Sequence, residues 1–228
     1  MMNPFPAVIE QAIIDRYNKL PVATICDGML KLGIPNSGSM DQGIKPICNK
    51  MRMTGTAMTV ETHNGDNLPI HIATYARHNP GYIMAIDGKS YRNAAYIGEL
   101  VVGTAKAVGF IGIVVDGYSR DVLGNIELGL PVFSRGVIPA GPIKKDQGNI
   151  NTPIQCGGIV INPGDLIAGD SDGVCVVPRD RIAEVLEAAE AKVAYEEERI
   201  KTIAAYNEAK KNGKPLPNLA PDWIKEYI

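Results

Sequence analysis

Apolar and polar residues follow two different periods along the chain, one typical of helices and one typical of strands. Apolar residues recur every three or four positions in segments that predict helices, namely 8–19, 21–35, 68–78, 94–109, 119–129 and 180–211. Continuous or alternating apolar runs predict strands at 53–61, 81–87, 111–117 and 131–136, and several strands joined by turns within 157–178. Strands and helices alternate from 53 to 136, which predicts parallel βαβ units and an α/β fold.

The same pattern predicts one α/β domain over residues 1–228, because no linker interrupts it. The core would cover about 20–178, followed by a long helical arm at 180–211 and a proline-containing tail. Apolar residues of the arm keep helical spacing, so we expect one face of it to be buried. These residues are Ile182, Val185, Leu186, Ala189, Val193 and Ile200.

Composition narrows the function classes. The chain is 45% hydrophobic and 21% charged, with a net charge of −2 and a pI near 5.9. A weakly acidic protein has no field to attract nucleic acid, so we expect no nucleic-acid partner. No apolar run reaches the roughly 20 residues of a membrane span, and the first 20 residues do not resemble a signal peptide. We therefore expect a cytoplasmic protein without a membrane partner.

Several well-known motifs are absent. The four cysteines form no CxxC pair, which argues against zinc ribbons and redox dithiols. The stretch DGKS at 87–90 lacks the preceding glycine of a phosphate-binding loop, because that position is Ile83. No two glycines are separated by one residue, so a dinucleotide fingerprint is missing and a methyltransferase is disfavoured. The histidines at 63, 71 and 78 lack metal-binding spacing and are expected to pack or cap.

Charged residues follow two of the predicted strands. Asp87 ends the strand at 81–87, and Asp116, Arg120 and Asp121 lie within VVDGYSRD, which closes the next strand. Ligands of open α/β sheets bind outside the carboxyl ends of the strands. The sequence therefore predicts a crevice here, although Asp116 with its following glycine could also be a simple turn.

Gly98 and Glu99 lie near the start of the helix that precedes this strand. A helix start offers free N–H groups that can hold a carboxylate. Glu99 and Asp121 offer the hard oxygens that Mg²⁺ prefers, and Arg120 adds a permanent planar cation. A metal and an arginine aimed at one oxygen would stabilise an enolate. Glu99 could equally be a solvated helix residue, and Arg120 with Asp121 a helix-starting ion pair.

The segment GELVVGTAKAVGFIGIVVDGYSRDVLGNIELGLPVFSRGVIP resembles the family of 4-hydroxy-4-methyl-2-oxoglutarate aldolase and the regulator of ribonuclease activity A. Members of this family have often been mislabelled as demethylmenaquinone methyltransferases. The resemblance extends through TGTAMTVETHNGDN and VINPGDLIAGDSDGVCVVP and covers about residues 20–200. It implies a sheet sandwich of the swivelling phosphohistidine-domain type, assembled as a homotrimer or homohexamer, with the long C-terminal helix attached.

The resemblance also implies residue roles and a divalent metal, Mg²⁺ or Mn²⁺, without a Schiff base. Asp121 would bind the metal, Arg120 would contact the pyruvyl carbonyl oxygen, and Glu99 would hold metal-bound water. The backbone N–H groups of the helix start would receive the substrate carboxylate. That start comprises Gly98, Leu100 and Val101. An acidic residue from a neighbouring subunit would complete the site, and Glu196 is the first choice within YEEER.

These implications lead to one functional hypothesis and one alternative. The hypothesis is a divalent-metal-dependent pyruvate aldolase that cleaves 4-hydroxy-2-oxo acids, such as 4-hydroxy-4-methyl-2-oxoglutarate, and also decarboxylates oxaloacetate. The ribonuclease regulators share the fold, and many of them depart from the catalytic motif. Glu99, Arg120 and Asp121 are all present here, which favours an enzyme. The alternative is a non-catalytic regulator that binds a ribonuclease or a helicase.

Overall fold

The computed structural model describes residues 1–76, 78 and 80–227. Within this part of the chain the helices are α1 Gln11–Tyr17, α2 Val22–Lys31, α3 Leu68–Tyr75, α4 Glu99–Ala107, α5 Val122–Leu128 and α6 Ile182–Lys211. The strands are β1 Lys45–Pro46, β2 Met53–Glu61, β3 Tyr82–Asp87, β4 Ala95–Ile97, β5 Gly112–Ser119, β6 Val132–Val137, β7 Asn149–Ile150, β8 Ile154–Cys156, β9 Ile159–Ile161, β10 Leu166–Asp170 and β11 Gly173–Val177.

One large sheet organises the molecule. Its strand order is β1-β6-β5-β3-β2-β10-β11, with β4 added to β5 and β7 added to β2. Strands β2, β3, β5 and β6 are parallel to one another, as the alternation of strands and helices predicts. Strand β1 pairs with β6, β10 with β2, and β11 with β10, each in antiparallel orientation. The two outer strands approach each other, and Lys45 Nζ donates a hydrogen bond to the carbonyl of Asp172 across the gap. The sheet is therefore nearly closed into a barrel.

Alternating side chains divide the core between the two faces of this sheet. In β3, Ile83 and Ala85 point into the barrel, while Tyr82, Met84 and Ile86 point outward. Helices α3 and α4 cover the outward face of β2, β3 and β5, and α1, α2 and α6 cover the outward face of β10 and β11. Because β3 and β5 are buried on both faces, they appear in the sequence as continuous apolar runs.

Two predicted helices are wrong at their amino ends. The segment 94–109 contains β4, because Ala95–Ile97 is buried and pairs in parallel with the end of β5. Helix α4 then begins only at Glu99, after Gly98 in extended conformation. The predicted helix at 119–129 begins at Val122, because β5 continues through Ser119. Both corrections bring the predicted site residues to turns that directly follow strands.

The long C-terminal helix is confirmed, and its predicted buried face is correct except at Ile200, with Val193 partly buried. Ile182, Val185, Leu186 and Ala189 are buried against α1, α2 and β11. Ile200, in contrast, is 64% exposed, because α6 extends beyond the body of the molecule.

The α/β class and the long helix are thus confirmed, and the sheet is barrel-like. The relation to swivelling phosphohistidine domains stays a prediction, as does the single-domain organisation. Among the described residues, no helix is both long and apolar to the degree that a membrane span requires.

Candidate active site

Two strand-to-helix turns meet at one edge of the sheet. Gly98 links β4 to α4, and Arg120 and Asp121 link β5 to α5. The N–H of Arg120 donates to the carbonyl of Ile97 at 3.0 Å, which joins the two turns. Because β4 and β5 are parallel neighbours, the amino ends of both helices point toward the same space.

Asp121 has an unusual backbone conformation for this position. It lies in the left-handed region (φ 55°, ψ 46°), which non-glycine residues adopt rarely and at a cost. The buried Asn125 stabilises the turn, because its side-chain amide donates to the carbonyl of Arg120 at 2.7 Å and its backbone N–H donates to the carbonyl of Asp121 at 3.0 Å.

The carboxylate of Asp121 does not cap the helix that it precedes. An aspartate before a helix commonly accepts a hydrogen bond from the first turn of that helix. Here Asp121 Oδ2 instead accepts the N–H of Glu99 at 3.2 Å and lies 3.4 Å from Arg120 Nε. The side chain is 43% exposed. The carboxylate is therefore turned toward the start of α4 and remains accessible to a ligand.

Glycines provide the space for this arrangement. A Cβ at Gly98 would lie 2.4 Å from Asp121 Oδ2, and a Cβ at Gly124 would lie 2.4 Å from Glu99 Oε2. Such distances are far below van der Waals contact, so any larger residue would displace the carboxylates. Glu99 consequently lies against α5, and Asp121 lies against the turn before α4.

A cleft of about 320 Å³ opens at this point. One wall carries the predicted site residues, including Glu99, Arg120 and Asp121. The opposite wall carries Asn67 and His71 from the start of α3, together with Lys144 from the connection between β6 and β7. The cleft therefore combines two carboxylates, two cations and one imidazole.

Asp66 holds the Lys144 segment beside α3. One carboxylate oxygen accepts the N–H groups of Lys145 and Asp146 at 2.8 and 2.9 Å, and the other accepts the N–H of Leu68 at 2.9 Å. Burial opposes ionisation of Asp66, but these N–H groups outweigh it and hold its pKa below the ordinary value. Asp66 is thus a structural clamp behind the cleft.

Asp116 lies away from the cleft and inside the barrel. Its carboxylate forms an ion pair with Arg135 and accepts hydrogen bonds from Ser90 Oγ and the N–H of Gly157, both at 2.8 Å. Burial opposes its ionisation, yet Arg135 and the two hydrogen bonds outweigh burial and lower its pKa. Asp116 lies within β5, and its carboxylate joins this strand to Ser90, Arg135 and Gly157. Its interpretation as a simple turn is therefore wrong.

The donor set suits a hard divalent cation. Asp121 and Glu99 supply carboxylate oxygens at the cleft, and Mg²⁺ commonly uses one or two protein carboxylates and keeps several waters. Across the described residues, no group of three or more His, Cys, Asp or Glu side chains forms a closed metal cage. The identity of the metal, Mg²⁺ or Mn²⁺, stays a prediction.

Comparison with known proteins defines the family. The family model described as RraA-like, Aldolase/RraA, matches residues 22–176. The chain belongs to the RraA-like family. A relative from Halalkalibacterium halodurans, named "Putative 4-hydroxy-4-methyl-2-oxoglutarate aldolase", is 40% identical over 199 residues, which cover 86% of this chain and 92% of the relative.

Two solved structures of similar fold support this membership. RraAS2 of Streptomyces coelicolor, described as an unusual member of the RNase ES inhibitor RraA protein family, has a TM-score of 0.76 and 26% identity, covering 85% of this chain and 98% of that one. An uncharacterized protein from Pseudomonas syringae pv. tomato has a TM-score of 0.75 and 28% identity, covering 89% and 93%. The resemblance to the aldolase and regulator family is thus confirmed.

The structure brings most of the predicted site residues into one cleft. Those that line it are Gly98, Glu99, Leu100, Val101, Arg120 and Asp121. Glu196 lies elsewhere, on the exposed part of α6, where it pairs with Lys192 at 3.3 Å. Its role in a neighbouring subunit stays a prediction.

Sequence reasoning missed the opposite wall of the cleft, formed by Asn67, His71 and Lys144. Lys144 lines the cleft, whereas Lys89 and Lys106, which lie in the neighbouring segments of sequence, have other partners. Lys89 pairs with Asp87 at 2.6 Å, and Lys106 binds the carbonyl of Leu128. A signal for the missed wall existed, because Asn67 and His71 are four residues apart at the start of a predicted helix and so share a face.

Proposed function

We propose that this protein is a divalent-metal-dependent lyase that cleaves 4-hydroxy-2-oxo acids to pyruvate and also decarboxylates oxaloacetate. The observation that carries the proposal is the carboxylate of Asp121, which is turned away from its own helix into a cleft that also holds Arg120 and the start of α4. The aldolase names of the relatives point the same way.

The start of α4 would bind the substrate carboxylate. The first intrahelical hydrogen bond of α4 runs from the N–H of Val102 to the carbonyl of Gly98 at 3.0 Å. The N–H groups of Leu100 and Val101 precede it and have no intrahelical acceptor. They therefore offer two donors and the positive end of the helix dipole to an anion.

Arg120 would stabilise the negative charge that develops on the pyruvyl oxygen when a carbon–carbon bond breaks. Its guanidinium is held near Asp121 and against Gly141, where a Cβ would lie 3.0 Å from Arg120 Nη1. Asp121, with Glu99 behind it, would hold the divalent cation, which when bound would supply Lewis-acid stabilisation of the same charge. Retro-aldol cleavage and decarboxylation both lead to a pyruvate enolate, so one site can perform both reactions.

Release of pyruvate tests this proposal. Purified protein would be incubated with oxaloacetate and with a panel of 4-hydroxy-2-oxo acids, with Mg²⁺ or Mn²⁺ and with excess chelator. We expect pyruvate from both substrate types, abolished by the chelator and restored by added metal. Activity that survives complete chelation would contradict metal dependence.

Borohydride trapping distinguishes this chemistry from lysine-based catalysis. Lys144 lines the cleft and is the lysine that could reach a pyruvyl carbonyl. We expect that treatment with pyruvate and borohydride leaves the protein mass unchanged, with a Lys144→Met variant as the control. A stable adduct that disappears in this variant would replace the metal mechanism by a Schiff base.

The similarity to RraAS2 supports the alternative, a regulator that binds a ribonuclease or a helicase. The same pyruvate assay discriminates between the two. Absence of activity with every substrate and metal, together with inhibition of a ribonuclease by the wild-type protein, would favour the regulator.

We also propose that the protein assembles as a trimer or a dimer of trimers in which Glu196 approaches a neighbouring site. The distal part of α6 supports this, because Ile200 and Ile203 are 64% and 47% exposed there. Truncation after Ala194 would keep the buried part of α6 and remove the exposed part. We expect a lower oligomer mass in light scattering and lower activity. A fully active monomer would refute the assembly. The variant Glu196→Gln tests the contribution of Glu196 by itself, and Glu197→Gln is its matched control.

A further inference from the structure

The wall of the cleft opposite Asp121 carries a histidine that the proposed mechanism leaves without a role. His71 lies in the first half of α3 and is half-buried. Its ring stacks on Tyr75 with centroids 6.3 Å apart and planes 15° apart. Within the part of the chain that the structure describes, neither ring nitrogen takes part in a hydrogen bond or an ion pair. The imidazole is thus oriented by packing while its nitrogens remain available.

A neighbouring side chain has a hydrogen-bond acceptor that no described residue uses. Asn67 is 3% exposed, and its amide nitrogen donates to the carbonyl of Tyr96 at 3.0 Å. Its side-chain oxygen is buried and accepts no hydrogen bond from any described residue. An acceptor left in this state is costly unless a donor from a ligand or a water reaches it. Asn67 and His71 lie one helical turn apart, so they present this acceptor and the imidazole on the same side of α3.

The other groups in the cleft are poorly suited to remove a proton. Arg120 and Lys144 are cations, and Asp121 is turned toward the start of α4. Glu99 lies against α5, where its Oε2 would be 2.4 Å from a Cβ at Gly124. His71 is the remaining basic side chain among the residues that line the cleft.

We propose that His71 is the general base that takes the proton from the C4 hydroxyl of a 4-hydroxy-2-oxo acid. This inference rests on the proposed function. As the O–H bond breaks toward an imidazole nitrogen, the oxygen forms the new carbonyl, the C3–C4 bond breaks, and its electron pair passes into the pyruvate enolate. The imidazolium releases the proton to solvent, and C3 of the enolate takes one from water. Atoms and charge balance without any further reactant.

Partial burial and the charge of Lys144 support this role, because both lower the pKa of His71 below its ordinary value of about 6.5. The imidazole is then neutral at pH 7 and can accept a proton. The charged groups that line the same cleft are Glu99, Arg120, Asp121 and Lys144, and Tyr75 packs on the ring.

The two proposed reactions differ in their need for this base. C4 of oxaloacetate is the carbon of an ionised carboxylate, whereas C4 of a 4-hydroxy-2-oxo acid carries a hydroxyl. Decarboxylation therefore requires no proton to be removed before the carbon–carbon bond breaks. A His71→Asn variant should therefore lose aldol cleavage and keep decarboxylation. Loss of a general base costs about 10²- to 10⁴-fold, so we expect kcat for cleavage to fall by at least about 10²-fold. Decarboxylation should fall far less than cleavage.

His63→Asn is the matched control, because His63 lies outside the cleft beside Asp146 at 3.5 Å and should leave both reactions unchanged. The rate of cleavage by the wild type should increase with pH through a pKa below about 6.5. This pH dependence should be absent from decarboxylation and from the His71→Asn variant. Thermal unfolding of each variant shows whether it is folded. If His71→Asn folds poorly, His71→Gln takes its place.

An equal loss of both reactions in the folded variant, or an unchanged rate of cleavage, would overturn the role of His71 while the metal-dependent function stands. If the wild type has neither activity with any metal, the proposed function fails, and the role of His71 fails with it.

Discussion

Asp116 and Asp121 lie in the same short stretch of sequence, yet their surroundings are opposite. Asp116 is 5% exposed, and an arginine, a serine hydroxyl and a backbone N–H surround its carboxylate. The side chain of Asp121 is 43% exposed, and its backbone adopts a left-handed conformation. The first carboxylate has all the partners it needs within the chain, whereas the second is held in an uncommon conformation with one oxygen that accepts no bond from the described residues.

This difference separates a structural charge from a candidate functional one. A buried carboxylate is stable when hydrogen bonds and a counter-charge compensate for its desolvation, as they do at Asp116. A residue in strained conformation with an accessible carboxylate is more typical of a ligand site. The two carboxylates at the end of β5 therefore have different roles. Asp116 joins the strand to the segment after β8, and Asp121 lines the cleft.

The largest effect is expected from Asp121→Ala. The change removes the carboxylate that would hold the cation, and the accessible side chain contributes little to packing. We expect kcat/KM for pyruvate release to fall by more than about 10³-fold, beyond the roughly 10²- to 10³-fold of one lost oxyanion donor. Thermal unfolding should stay close to wild type. A variant that unfolds instead would show that Asp121, like Asp116, is needed for stability.

A smaller loss is expected from Arg120→Lys. Lysine keeps the charge but lacks the planar fork that can reach both an oxygen of the substrate and Asp121. We expect turnover to fall by about 10²- to 10³-fold with little change in stability. Steady-state kinetics with oxaloacetate measures this, and a rate within a fewfold of wild type would show that Arg120 is only structural.

Asp116→Asn should act on stability and spare the chemistry of the cleft. The amide removes the charge that pairs with Arg135, and we expect the free energy of unfolding to fall by about 2–3 kcal/mol. Since the folded state lowers the pKa of Asp116, its stabilisation is complete above the unfolded-state pKa of about 3.9 and is lost as pH falls through the lower folded-state pKa.

Denaturant unfolding of wild type and Asp116→Asn at several pH values checks both points. The stability difference between the two proteins should shrink as the solution becomes more acidic than about pH 4. A difference that does not change with pH, or normal stability with lost activity, would contradict the structural role of Asp116.

The smallest effect is expected from Gly124→Ala. A Cβ there would lie 2.4 Å from Glu99 Oε2, and the flexible glutamate can move away without unfolding the helix. We expect a loss of activity of about tenfold, at the lower end of the 10- to 100-fold effects of residues behind a metal ligand. Gly129→Ala is unsuitable as a control, because Gly129 has a positive φ of 70°. Gly103→Ala on α4 is a better one, since its Cβ would make ordinary contacts at 3.6 Å.

The sequence predicts one wall of the cleft and misses the other for a physical reason. The apolar run of β5 places Arg120 and Asp121 at the end of a strand, and the helical period of 94–109 places Gly98 near the start of a helix. Lys144 reaches the cleft only because Asp66 binds the backbone of a segment almost 80 residues away. No local period encodes such a contact, so it becomes visible only in the folded chain.

Short strands escaped prediction in a similar way. Ala95–Ile97 contains residues that suit either a helix or a strand, and its pairing with the end of β5 decides the outcome. The near closure of the sheet into a barrel was also missed, because it depends on antiparallel pairing of β1, β10 and β11 rather than on the βαβ alternation. On the distal part of α6, Ile200 and Ile203 keep helical spacing although they are 64% and 47% exposed.

The most direct test of the account is metal binding at Asp121. Titration with Mn²⁺ by isothermal calorimetry would compare wild type, Asp121→Asn and Glu127→Gln, an exposed carboxylate on the same helix. We predict that wild type and Glu127→Gln bind the metal alike and that Asp121→Asn binds it at least about tenfold more weakly, since even residues behind a metal ligand change affinity by 10- to 100-fold. Equal affinity in all three proteins would show that the cation is not held by Asp121.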